Sequence, residues 1–174
     1  GACEDPAREP VFLDGALVPG FVNAHCHIEL SYMWKLFRKG TGMAGFIDQI
    51  NALRDTKPLE EKLSDISRWM DVLYGRGVSA MADISNCSDS SAIKASSPIY
   101  TRTFLEVFGT EPEECESVIK GVLALKEEAD KAGIDAAPTP HACYTMSPEL
   151  VTASSAEGLK SGFLSFHSEE TPEE

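Results

Sequence analysis

The sequence predicts an α/β fold assembled from parallel β/α units. Short apolar runs suited to buried strands alternate with longer amphipathic stretches of helical spacing. Pro, Ser and Gly residues punctuate the joints between them. The 174 residues, 43% hydrophobic, are enough for one globular unit with a real core. They fall short of the roughly 250 residues of a complete barrel of eight such units.

Taken in order, residues 1–15 are polar, broken by Pro6 and Pro10, and hold only a short apolar piece at Val11-Phe12-Leu13. Ala16-Leu17-Val18 and Phe21-Val22-Asn23-Ala24 read as strand on either side of Pro19-Gly20. Met43 to Arg54 carries Phe46, Ile47, Ile50 and Leu53 at helical spacing. Pro58 opens a second helix through Leu63, Ile66, Trp69, Met70 and Leu73, which Gly75 and Gly77 close. Val78 to Ile84 is a buried strand, and a weak helix or loop runs on to Ser97. Ile99 to Phe108, rich in β-branched and aromatic residues, is the next strand. Pro112 to Lys131 is a helix with Val118, Ile119, Val122, Leu123 and Leu125 on its apolar side. Ile134 to Thr139 is a strand, Ser147-Pro148-Glu149 caps and starts a helix, and Phe163 to Phe166 is a fifth strand. Thr171 to Glu174 reads as one more helix start. Periodicity alone leaves two architectures open, an open doubly wound sheet or the first part of a β/α barrel. No glycine-rich phosphate loop follows any strand, so dinucleotide and P-loop chemistry are unsupported.

Composition narrows the function classes. The net charge is −13, from 28 acidic and 15 basic residues. That field repels phosphate backbones, so no nucleic-acid partner is expected. Acidic runs such as Glu111 to Glu114 read as solvated helix faces and N-terminal turns. The five cysteines lie far apart without a C-x-x-C pair, which excludes a zinc ribbon and fits reduced thiols in the cytoplasm. No apolar stretch approaches a membrane span and no signal peptide is visible. The chain opens Gly1-Ala2-Cys3 without Met, so its start is expected to be processed or to lie further upstream.

The four histidines are the most informative residues. His25 and His27 are two apart at the end of the first strand, a spacing that turns both side chains to one face. His141 and His167 each follow a predicted strand. In β/α proteins chemistry gathers at the C-terminal ends of strands, where all four imidazoles are expected. Imidazole nitrogen suits Zn²⁺ and other divalent transition metals. Glu170, three residues beyond His167, would place a carboxylate beside a metal-activated water, where it could carry that water's proton to a leaving nitrogen.

Three segments resemble a known family. Pro19-Gly20-Phe21-Val22-Asn23-Ala24-His25-Cys26-His27 is similar to the PGFVNAHxH opening of amidohydrolase-superfamily barrels. Thr139-Pro140-His141-Ala142-Cys143-Tyr144-Thr145-Met146-Ser147 resembles the pHapYTvS segment of the branch holding adenosine-type deaminases and triazine chlorohydrolases. Phe166-His167-Ser168-Glu169-Glu170-Thr171 resembles its HxxE segment. The three occur in the family's order, and the resemblance spans residues 11–174. Ile28-Glu29-Leu30-Ser31 resembles the corresponding stretch of S-adenosylhomocysteine and aminofutalosine deaminases.

The resemblance implies a partial (β/α)8 TIM-type barrel of about the first five β/α units over residues 19–174, with 1–18 as a remnant of a flanking β region. It implies a metal held by His25, His27 and His167, with Zn as the leading ion and Fe or Mn as alternatives. Glu170 would be the proton shuttle, and His141 and Glu29 would contact the substrate, a small heterocycle. Gly40-Thr41-Gly42-Met43 would lie in a loop over the site. Arg102 and Glu106 are read as substrate or barrel-structural groups of the third strand, the structural role being preferred. The implied activity is hydrolysis of a carbon–nitrogen bond outside peptides, as in deamination of a purine- or adenosine-like ring. Chlorohydrolase or cyclic-amide chemistry is the alternative, as is a catalytically incomplete metal-binding fragment. The family's cyclic-amide hydrolases generally place a carboxylated Lys where His141 stands, which weighs against that branch. The family also carries a further His and a metal-binding Asp after later strands that this chain does not reach. The 174 residues alone are therefore expected to be inactive, to hold the metal weakly or not at all, and to form a homodimer or associate through an open barrel edge.

Overall fold

The computed structural model describes residues 11–171. Four strands form one parallel sheet in sequence order: β1 (Phe21–Cys26), β2 (Val78–Ser85), β3 (Tyr100–Val107) and β4 (Asp135–Pro140). All three pairings are parallel. Helices α1 (Gly42–Leu53) and α2 (Leu59–Gly75) connect β1 to β2, α3 (Ser91–Ser96) connects β2 to β3, and α4 (Cys115–Lys131) connects β3 to β4. Helix α5 (Pro148–Leu159) follows β4. Each strand pairs with the one before it, the topology of the opening units of a TIM-type barrel; among the described residues no closed barrel is formed.

The elements follow from the residues named above. Strand β3 is buried from Thr101 to Val107 because helices cover one face and the interior the other. On the outer face, α4 and α5 pack Val122, Ala129 and Leu150 against Leu105, Val107 and Ala136. Helix α2 packs Ile66 and Met70 against Met81, Ile99 and Ile28. Burying a side chain such as Ile66 contributes about 1.5–3 kcal/mol. Ser147 caps α5, its hydroxyl accepting the Leu150 N–H at 3.3 Å, as its place before Pro148 predicts.

Two expectations are modified. Ala16 to Val18 form no strand: residues 11–18 are exposed, and among the described residues no strand lies beside them. Phe163 to Phe166 form no strand and carry no ladder. The Thr139 hydroxyl takes the Ser165 N–H at 2.9 Å in place of a backbone acceptor, and pairing survives only as one parallel bridge, Ala142 to His167. The expected helix start at Thr171–Glu174 falls largely outside the described residues, as do residues 1–10 of the expected flanking region.

Helix α5 lies against β4 at Gly158, where an added Cβ would overlap the Pro138 carbonyl oxygen and Leu164 Cδ2. Ala is the better helix former by about 1 kcal/mol, but overpacking against backbone costs about 1–3 kcal/mol. Gly158→Ala is therefore expected to lower the midpoint of denaturant unfolding. A raised midpoint would mean that α5 stands further from the sheet.

Candidate metal centre

Parallel strands deliver their C-terminal ends to one rim, and all four histidines stand there. His25 is the penultimate residue of β1 and His27 follows the strand. The β1–β2 pairing is irregular between Asn23 and Cys26, where three steps on β1 match two on β2, Met81 to Asp83. Such a bulge re-aims side chains at a strand end. His141 follows β4. The 163–167 segment returns beside it, His167 N–H donating to the His141 carbonyl at 2.8 Å.

The imidazoles gather around His167. Its ring centroid lies 4.8 Å from that of His25, 5.8 Å from His27 and 4.8 Å from His141. One ligand atom from each of His25, His27 and His167 can be chosen so that all lie within 4.8 Å of one another. Two nitrogens bound to one tetrahedral zinc at about 2.0–2.1 Å stand roughly 3.4 Å apart, so small side-chain adjustments bring the trio onto an ion. The donor set thus fits a divalent transition metal.

The protonation states agree with that fit. Burial lowers the pKa of His27 to about 4, and the neighbouring imidazoles add to the effect against the pull of Glu106. Burial also lowers His25, helped by His167, and lowers His141 despite Glu106. Neutral imidazole is the form that binds metal.

Of the two roles the sequence leaves open for Glu106, structural is preferred over substrate-contacting, but its side chain stands among the imidazoles. Its Oε1 is 3.1 Å from His167 Nε2 and 3.8 Å from His141 Nε2. With those two histidines it forms a second group of convergent ligand atoms that shares His167. Burial opposes its ionisation most strongly, yet the His167 hydrogen bond, His141, His27 and Asn86 outweigh it and hold the carboxyl below its ordinary range. Asn86 Nδ2 donates to Glu106 Oε2 at 3.3 Å. Arg102, its companion in that expectation, does sit away from the imidazoles, paired with Asp135 and stacked over the Phe163 ring at 4.9 Å.

Glu170 reaches the cluster. Its Oε1 lies 3.4 Å from His167 Nδ1, and Tyr144 O–H donates to its other oxygen. Glu169 before it has φ +57°, the left-handed region that costs a non-glycine residue about 1 kcal/mol. That turn brings Glu170 back over the rim. Glu29 is not brought into the cluster. It is buried, accepts from Ser85 Oγ at 2.6 Å and from the Asn86 N–H at 3.1 Å, and braces the loop that carries Asn86.

These groups line a cavity of about 470 Å³. His25, His27, His141, His167, Glu106 and Glu170 stand at one end, and Met43, Phe46, Ile47 and Ile50 of α1 supply an apolar wall. Met43, expected in a covering loop, is instead in the first turn of α1. Tyr144 and Asn86 went unnoticed as site residues; Tyr144 lies inside the second family-like segment, the one signal that pointed to it.

No family model matches this chain, and no curated protein does. Among solved structures, Helicobacter pylori aminofutalosine deaminase in complex with methylthio-coformycin is similar with a TM-score of 0.71 and 24% identity, over 86% of this chain and 36% of that one. A second structure of that H. pylori enzyme gives a TM-score of 0.58 and 22% identity, over 78% of this chain and 31% of the other. These likenesses establish the fold, the opening portion of a TIM-type barrel. The chain spans about a third of the length of both neighbours. No helix among the described residues is long and apolar enough to cross a membrane.

In the metal-free chain His27 titrates near 4, against 6.5 for an unperturbed imidazole. Unfolding therefore takes up protons as pH falls below 6.5. The imidazole contribution to stability should be complete above pH 6.5 and decline as pH falls toward 4. Denaturant midpoints of metal-free protein across that window should show the decline, and His27→Asn should reduce it. Equal pH dependence in the two proteins would contradict a desolvated imidazole at this position.

Proposed function

We propose that this chain is the N-terminal part of a metal-dependent hydrolase of the amidohydrolase superfamily, which releases ammonia from a purine- or adenosine-like heterocycle. The observation that carries the reading is the convergence of His25, His27 and His167 with Glu170 beside His167. The fold shared with a protein named as an aminofutalosine deaminase supports the same reaction class.

His25, His27 and His167 would hold the ion, Zn by preference, with Fe or Mn compatible with the same donors. A bound divalent ion would supply Lewis-acid activation of water for attack on the ring carbon. Glu170 accepts the proton given up by that water and delivers it to the departing nitrogen; the carbon–nitrogen bond breaks and a ring carbonyl remains. Tyr144 holds the Glu170 carboxylate in place. His141 and Glu106 present a hydrogen-bonding face to the ring, and the α1 wall excludes water from one side. The substrate is a small molecule, and reduced thiols favour a cytoplasmic setting.

Elemental analysis of the chain, and of any longer gene product that contains it, should find about one divalent metal per chain. His25→Ala and His167→Ala should each remove it. In the longer gene product, Glu170→Gln should keep the metal while ammonia release from adenosine-type substrates falls by at least about 100-fold. Absence of metal in the wild type after incubation with Zn²⁺ would overturn the reading. Release of chloride in place of ammonia would move it to halide displacement.

A further inference from the structure

A buried ion pair lies directly behind the His25–His27 turn. Asp83 of β2 and Lys94 of α3 meet at 2.9 Å, with side chains 0% and 1% exposed. Lys94 Nζ also donates to Thr103 Oγ1 on β3 at 3.1 Å. The other Asp83 oxygen, Oδ1, accepts the backbone N–H of Ile28 at 2.9 Å. Ile28 is the residue after His27.

Two facts make this contact more than packing. The β1–β2 pairing is already irregular before Cys26, and β1 ends at Cys26, so no ladder bond continues past that point. The backbone direction at His27 is therefore not set by the sheet. Past the strand end, the Ile28 N–H finds a side-chain acceptor, Asp83 Oδ1, at 2.9 Å. In addition, a buried ion pair generally does no better for stability than a well-packed apolar pair of similar volume. The combination of a fixed carboxylate, a cation that fixes it and a backbone donor beside an imidazole fits orientation better than stabilisation.

We infer that Asp83, clamped by Lys94 and Thr103, is a positioning residue: it pins the Ile28 N–H and so fixes the direction in which His27, and with it His25, face the metal centre. The inference rests on the reading of these histidines as metal ligands. Outer-shell groups that orient ligands commonly carry 10–100-fold in metal affinity.

The test compares two double variants. Asp83→Asn/Lys94→Met removes the ion pair but keeps an oxygen acceptor for the Ile28 N–H. Asp83→Leu/Lys94→Met removes the acceptor as well. With Co²⁺ as the probe, the first should bind within about threefold of wild type, and the second should lose about 10- to 100-fold in affinity with a changed d–d absorption spectrum. Amide hydrogen exchange on metal-free protein gives a second readout: Ile28 should be protected in the wild type and in the first variant, and should exchange at least about tenfold faster in the second. Equal cobalt affinity and spectra in both variants would overturn the inference. If the wild type binds no cobalt, the metal reading falls and the amide comparison alone decides the positioning role. If the Leu/Met variant does not fold, the wild-type Ile28 amide decides: slow exchange supports the role, and solvent-like exchange overturns it.

Discussion

The parallel alignment of β1 to β4 is the constraint on which the rest depends. It places every strand's C-terminal end on one rim, so residues far apart in sequence can share a small space. Glu106 and His167 are 61 positions apart and lie within hydrogen-bonding distance. Antiparallel pairing of any neighbour would carry one imidazole to the opposite end of the sheet.

Crowding four imidazoles on one rim has an electrostatic consequence. Protonated, they would repel one another in a partly desolvated space; neutral, they are poised to donate lone pairs. Burial lowers the pKa of His25, His27 and His141, while the His167 hydrogen bond, His141, His27 and Asn86 outweigh burial and hold the Glu106 carboxyl below its ordinary range. Behind this runs a supporting chain: Glu29 braces the Asn86 backbone, and the Asn86 amide donates to Glu106, which contacts His167. The ion pair of Asp83 with Lys94 does similar work behind His27. Glu169, in its left-handed conformation, completes the arrangement by returning Glu170 to the rim.

Much of this is legible in the sequence, for identifiable reasons. Helix starts carry local chemistry, as at Ser147-Pro148, and apolar spacing marks α2 and α4. His25, His27, His141 and His167 declare themselves because each ends an apolar run. Glu106 does not, since a single Glu among Phe104, Leu105 and Val107 reads as part of the frame; its meaning comes from partners brought by other strands. Glu29 lies next to the His25–His27 pair in sequence, but the 3₁₀ helix Ile28–Met33 turns its carboxylate to the β2 loop, where it accepts from Ser85 Oγ. The fifth strand is blurred because the Thr139 hydroxyl, a side chain, takes a bond that backbone periodicity assigns to a ladder.

X-ray absorption on the zinc-loaded protein tests the central claim most directly, since it counts the groups around the ion. Three imidazole nitrogens at about 2.0–2.1 Å, with the ion lost on His167→Ala, are the expected result. A shell dominated by sulfur, or one unchanged by the loss of His25 or His167, would place the metal elsewhere and contradict a centre built at this rim.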